Sequence, residues 1–317
     1  MLFLILIFIF GLAVGSFLNV VIWRLPRREP MVILRGLPQG SARWRTAGWR
    51  IVKSRSRCPC CRKILRWFEL IPLFSFIIQK GRCRRCFESI SWQYPLVEFF
   101  TGLVFLAVFW RIFFLAAGES VFAVPFGWES LWFSAVLWWF YASVLIVIFV
   151  YDLKYYLIPD RILFPAIGVA FFSNLFLDAA PRFLTFSLIE LGSRFAYQTG
   201  PRSDFFLSGA TAAFLFALFF FILFFVSRGR WLGFGDVKLA VFLGLILGFP
   251  AVIWGAFWAF FLGSLAGVAL IILGKKGFKS EVPFGPFLCL GTFLTFLFGF
   301  KFFEWYNNIP FTIIDYF

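Results

Sequence analysis

More than half of this chain falls in eight apolar runs, most of them close to the length a helix needs to cross a bilayer. They cover residues 2–23, 95–116, 130–151, 160–179, 204–227, 233–249, 251–273 and 284–303. A helix needs ~20 apolar residues to cross ~30 Å of hydrocarbon, and there only helices and closed barrels satisfy their own backbone groups. With 62% hydrophobic and 14% charged residues, no soluble core could hide this apolar surface. The sequence therefore predicts an all-α polytopic membrane protein with about eight transmembrane helices. The run 233–249 is the least regular, because glycines interrupt it and Pro250 ends it. Leu2 to Trp23 has neither a basic n-region nor an A-x-A site, so it reads as a retained span and not a cleaved signal. The 52 phenylalanines read as lipid-facing bulk.

Charge placement supplies the topology. The net charge is +15, and residues 24–91 hold 17 Lys or Arg against only Glu29, Glu69 and Glu88. A basic loop beside a span reads as a cytoplasmic topology determinant, and no nucleic-acid partner is expected. If 24–91 is cytoplasmic, the loops with Lys154 and Arg161, with Arg228 and Arg230, and with Lys275, Lys276 and Lys279 are cytoplasmic too. The opposite loops are mixed in sign. Three regions follow: a first span (1–23), a basic cysteine-bearing cytoplasmic loop (24–91) and a seven-span membrane domain (92–317).

Histidine is absent, which removes Ser-His and Cys-His nucleophiles, His-ligated zinc and HExxH metalloproteases. Acid–base chemistry is left to Asp, Glu, Lys, Tyr or Cys. Within the basic loop, Cys58-x-x-Cys61 and Cys83-x-x-Cys86 have the spacing of a structural Cys₄ zinc site, with Zn²⁺ organising a segment poor in apolar bulk. Two disulfides, a redox pair, or inert thiols are the alternatives, and a cytoplasmic setting disfavours lasting disulfides. Cys60 is a competing ligand inside the first knuckle, and Cys289 reads as a buried small hydrophobe.

Two Asp-x-Lys triplets stand where apolar segments meet charged ones: Asp152-Leu153-Lys154 and Asp236-Val237-Lys238. A carboxylate beside hydrocarbon is costly, which makes both aspartates functional candidates. They could share a proton as the acid and base of an aspartyl protease. They could instead relay cations or protons in a transporter, or pair structurally with Lys154 and Lys238. Of the other aspartates, Asp160 suits a helix cap, while Asp178, Asp204 and Asp315 suit solvated loops. A non-catalytic secretion-assembly factor, with the cysteine loop as docking module, is a further reading.

Five blocks of sequence resemble one family, the bacterial prepilin peptidases or type IV leader peptidases. GLAVGSFLNVVIWRLPRREP (11–30) resembles its amino-terminal signature, and the segments around Cys58–Cys61 and Cys83–Cys86 its knuckle region. VYDLKYYLIPD and GFGDVKLA resemble its two aspartate motifs, the second being the G-x-G-D pattern of GxGD proteases, and PFGPFLCLG (283–291) its last signature. The resemblance implies a bacterial inner-membrane aspartyl endopeptidase with its active site at the cytoplasmic face, serving type IV pilus or type II secretion systems. It would remove the basic leader of type IV prepilins or pseudopilins and N-methylate the new terminus with S-adenosylmethionine. It assigns catalysis to Asp152 and Asp236 and metal ligation to Cys58, Cys61, Cys83 and Cys86. Glu69 stands where the family commonly has Asp, and residues 31–53 match none of its motifs. No glycine-rich S-adenosylmethionine fingerprint is visible; Glu98 is a candidate for the methyl-transfer half, or simply a helix-end charge.

Overall fold

The computed structural model describes residues 2–25, 56–58, 60–117, 128–179, 205–274 and 282–307. The basic stretch 31–53, Asp204, Asp315, Lys275, Lys276 and Lys279 lie outside the described residues. The chain forms two compact units, Met1–Leu103 and Val104–Phe317.

The first unit contains α1 (Leu2–Arg24), a 3-10 turn (Trp67–Leu70), the short α2 (Phe74–Ile78) and the opening turns of α3 (Gln93–Ala117). Within this unit α1 and α3 pack antiparallel. Asn19 Nδ2 donates to the Tyr94 carbonyl at 3.1 Å, Gly15 meets Glu98 and Thr101, and Gly102 lies under Phe8 and Leu12. A Cβ on Gly15 would stand 2.8 Å from Glu98 Cα, so glycine is what lets the two backbones approach here.

The second unit continues α3 and adds α4 (Trp128–Tyr155), α5 (Asp160–Ala179), α6 (Phe205–Ser227), α7 (Phe234–Leu247), α8 (Ala251–Ile272) and α9 (Gly285–Asn307). Each of the eight apolar runs is thus a helix. Among the described residues β-structure is limited to two isolated bridges. Six helices, α1, α3, α4, α5, α6 and α8, are long and apolar enough to cross a membrane, so the protein is a multi-pass membrane protein. The expectation of about eight spans, with 233–249 the least regular run, is modified at α7; in α9 the apolar stretch among the described residues is Gly285–Gly299. The 14 residues of α7 reach only ~21 Å.

That short helix forms the centre of the second unit. Leu239, Ala240, Phe242 and Leu243 are fully enclosed, with α6 alongside and α5, α8 and α9 in contact. Helices that are apolar all round do not declare their inner face, and small residues decide the packing. A Cβ on Gly244 of α7 would fall on the Ala212–Ala213 backbone of α6, and one on Gly291 of α9 would fall on Gly255 O and Ala259 of α8. The far end of α7 is tied down by Asn174 Nδ2 donating to Leu245 O (2.9 Å) and by Ser208 Oγ accepting from Phe249 N (3.1 Å). Gly248, at φ +69°, makes the left-handed exit there.

Gly244→Ala is expected to destabilise the bundle by about 1–3 kcal/mol through overpacking. The check is the Tm of the detergent-purified chain, with Gly267→Ala, whose Cβ would enter open space, left at the wild-type value.

Candidate active site and metal centre

Asp152 stands in the last turn of α4 and Asp236 in the first turn of α7, only 5% and 8% exposed. The first N–H groups of a helix have no partner inside it, so a helix start offers donors to a carboxylate. Each aspartate uses one such donor. Gly233 N, just before α7, donates to Asp236 Oδ2 at 3.0 Å, and Gly285 N, at the start of α9, donates to the Asp152 carboxylate.

What gathers these helix ends is Ile158, in the link between α4 and α5. A Cβ on Gly235 would stand 3.3 Å from Ile158 Cβ, and one on Gly285 would stand 3.5 Å from Ile158 Cδ1 and 2.5 Å from Asp152 Oδ2. Both glycines therefore fit closely against the same side chain, and neither position has room for a larger residue. The starts of α7 and α9 are thereby brought to the end of α4, and the Asp152 and Asp236 carboxylates lie within range of each other's charge. Neither Ile158 nor Gly285 was marked by the sequence reading. The glycine inside PFGPFLCLG was its available signal.

The lysine of the second triplet does something different from the pairing considered above. Lys238 does not neutralise Asp236. Its Nζ meets Asp160 Oδ1 and Oδ2 at 2.8 and 3.0 Å and lies over the rings of Phe164 and Phe234, 5.4 Å from each centroid. Asp160 is the first residue of α5, so this ion pair joins the two aspartate motifs across 78 residues of sequence. Lys154 Nζ lies 5.6 Å from the Tyr155 ring centroid. Asp178, placed by sequence in a solvated loop, instead ends α5 and accepts from Phe206 N at 2.8 Å at the start of α6. Cys289 is buried in the apolar core of α9 and its neighbours.

In the first unit, Cys58, Cys61, Cys83 and Cys86 gather so that their sulfurs all lie within 4.8 Å of one another. The two knuckles repeat one design at an offset of 25 residues. Arg57 bridges Ile64 as Arg82 bridges Ser89, and Cys58 N bonds Lys63 O as Cys83 N bonds Glu88 O. Arg62 and Phe87 both turn through the left-handed region, at φ +56° and +57°. Cys58 and Cys86 sulfurs are 3.8 Å apart, and those of Cys61 and Cys83 3.9 Å. Four sulfurs ~2.3 Å from one tetrahedral zinc would be ~3.8 Å apart, so the cluster fits such an ion. Backbone N–H groups of Cys86 and Arg85 draw the Cys83 thiol down to about 6. Against the Glu88 backbone N–H, burial and hydrogen bonds to Cys83 and Cys58 push the neighbouring Cys86 thiol up, so the two share one proton unevenly. Cys60 is exposed and stands outside the cluster.

Two glutamates of this unit are also buried. Glu69 accepts from Arg66 N at 2.8 Å and pairs with Lys63 Nζ at 3.0 Å, which hold its carboxyl below the usual range. Glu98 is 8% exposed and binds Leu73 N at 2.9 Å and the Ser16 hydroxyl, an enclosed position unlike an ordinary helix-end charge.

Comparison with known proteins places both halves. Residues 9–112 match the bacterial peptidase A24 N-terminal domain, and residues 139–272 match the type IV leader peptidase family. The chain is 31% identical to a prepilin leader peptidase/N-methyltransferase of Bacillus subtilis (strain 168), over 93% of this chain and 94% of the relative. It is 30% identical to the protein of that name from Aeromonas salmonicida (strain A449), over 95% and 92%. Myxococcus xanthus (strain DK1622) has another at 31%, over 88% and 67%. No solved structure matches. A relative above 30% identity that is covered nearly end to end, with family matches in both halves, shows that the chain belongs to the type IV leader peptidase family.

Proposed function

We propose that the chain removes the leader from type IV prepilins or pseudopilins at the cytoplasmic face of a bacterial inner membrane and N-methylates the new terminus. The observation that carries the peptidase half is the junction at Ile158, where two buried carboxylates lie within range of each other and each binds one backbone N–H at a helix start. The relatives' printed name supplies the substrate class and both reactions.

Two carboxylates within range of each other's charge do not both ionise freely, and one proton shared between them is the state this mechanism uses. The ionised member of Asp152 and Asp236 takes a proton from water, which attacks the scissile carbonyl. The protonated member donates to that carbonyl oxygen and then helps the leaving amine depart. Gly233 and Gly285 N–H groups fix the direction of the carboxylates, and Gly235, with no Cβ, lets the start of α7 seat against Ile158. The Lys238–Asp160 pair holds the first turn of α7 to α5 and so positions Asp236 without touching substrate.

Zinc would be held by Cys58, Cys61, Cys83 and Cys86. With four protein thiolates it leaves no open coordination position, so its part is to fold the module. S-adenosylmethionine would serve as methyl donor. Among the described residues no glycine-rich turn marks its place, and none is assigned to it.

Co-expression with a type IV prepilin should remove the leader and add about 14 Da to the mature chain. Asp152→Asn and Asp236→Asn should each leave the substrate intact, as read by intact mass. Cleavage by either variant would sink the dyad, and uncut substrate with wild type would sink the peptidase reading. Lys238→Met should slow cleavage about tenfold or more through misplacement of Asp236. Asp160→Asn should do the same, and the double variant should be no worse than either single one, as expected of two groups acting through one contact. Metal analysis of the purified chain should find about one zinc per chain. Cys83→Ser should abolish it, and Cys60→Ser should keep it.

A further inference from the structure

A second polar site lies in the first unit, between α1 and α3, remote in sequence from the aspartates. Glu98, Asn19 and Ser16 come from GLAVGSFLNV on α1 and QYPLVEFF on α3, facing one another across the antiparallel pair. Glu98 lies one turn beyond Tyr94, whose carbonyl takes the Asn19 Nδ2 hydrogen bond, and Ser16 lies one turn back from Asn19. Asn19 is only 2% exposed, and its Oδ1 has no hydrogen-bond partner. Among the described residues no lysine or arginine reaches Glu98. A buried carboxylate without a cation and a buried amide oxygen without a donor are both unfavourable, the more so at membrane depth. Glu98 and Asn19 thus stand about one helical turn apart on facing helices and offer acceptors that, among the described residues, have no positive partner.

The chemistry of the missing partner follows. A metal ion is a poor fit, since the site has a single carboxylate, and the one cluster with metal-binding geometry among the described residues is the cysteine set. An organic ammonium supplies several donors and one positive charge, which suits one carboxylate and one amide oxygen. Glu98 lies about 8 Å along α3 from its start, at the loop-side ends of both helices, and Leu73 N of the loop donates to Glu98 itself. Apolar helix faces enclose it there, so a cationic amine at the head of an apolar segment matches both its charge and its walls.

We propose that Glu98 and Asn19 bind the α-amino group of the freshly cut substrate and that Glu98 takes its proton. This inference rests on the processing activity proposed above and deepens it. An α-ammonium has a pKa near ~7.7–8.0 and is mostly protonated at neutral pH, so it cannot act as a nucleophile until it loses that proton. In the proton step one N–H bond breaks and one O–H bond forms on Glu98, leaving a neutral amine held by Asn19 Oδ1. The sulfonium donor then supplies the methyl group: its C–S bond breaks with the electron pair on sulfur, the C–N bond forms, and the product is a secondary ammonium and a thioether.

The test uses the full-length enzyme in detergent and a synthetic peptide of a mature pilin's first apolar segment, with a free or an acetylated amino terminus. Wild type should bind the free-amine peptide about tenfold more tightly than the acetylated one, the scale of one charge-assisted contact. Glu98→Gln should remove most of that preference, Asn19→Ala should reduce it, and Glu98→Asp should restore part of it. With co-expressed prepilin, Glu98→Gln should yield cut substrate without the added methyl mass. Wild type showing no preference for the free amine, or Glu98→Gln or Asn19→Ala keeping it in full, would overturn the site. If Glu98→Gln does not accumulate, Asn19→Ala and Glu98→Asp decide by the same peptide pair. Failure of wild type to cut prepilin would count against the processing activity alone, because amine binding is read separately from cleavage.

Discussion

The contact on which the second unit depends is the seating of Gly235 and Gly285 against Ile158. Asp152 is fixed on α4, Asp236 on α7, and the N–H that orients Asp152 belongs to α9. Three helices must end or begin at one place for the pair to exist. A side chain at Gly285 would meet the Asp152 carboxylate itself, and one at Gly235 would meet Ile158. The backbone approach and the placement of the acids are therefore one condition. A pair of buried carboxylates left to itself would push apart or draw in water. Here the helix starts on one side and the enclosed apolar body of α7 on the other hold it in a fixed frame.

The cysteine module answers a different shortage. Between Ser56 and Trp92 many of the large apolar side chains are exposed, among them Trp67, Phe74, Ile77, Phe87 and Trp92, so packing alone gives the segment little core. Two turns of the same design, each with a non-glycine residue in the left-handed region, bring four thiols together. Such turns cost of order 1–3 kcal/mol each unless the surroundings over-determine them. Four metal–sulfur bonds shared between the turns would be enough to do so. Glu69 adds a second, metal-free brace by joining Lys63 to the backbone of the 3-10 turn.

The helices themselves were legible, because the thickness of hydrocarbon sets a length that a sequence must show. Six runs became full spans, and all eight became helices close to their expected limits. Lateral order was not legible. α7 and α8 read alike in hydropathy, yet α7 is enclosed and α8 turns most of its surface outward. The cue lay in where the small residues fall, Gly244 against Ala212–Ala213, which is recognisable only once the partner helix is known. The cysteine cluster was legible because its spacing is local. The partner of Lys238 was not. Proximity in sequence suggested Asp236, whereas helix geometry turns positions two apart to different sides, and the ion pair forms with Asp160.

The buried acids show how far burial alone can be read. Glu69 has a cation and a backbone donor and is satisfied within its own loop. Asp152 and Asp236 have one backbone donor each and lie within range of a like charge, a combination that favours sharing a proton over carrying two negative charges. Glu98 has two donors, no cation among the described residues, and the unpaired Asn19 oxygen one helical turn away. Burial is common to all four, so it cannot distinguish structural from chemical roles. The difference lies in what the surroundings leave unmet: nothing at Glu69, a proton at the aspartates, and a positive charge at Glu98. Ordering the acids by that deficit gives one structural brace, the proposed acid–base pair and the proposed site for an ammonium group.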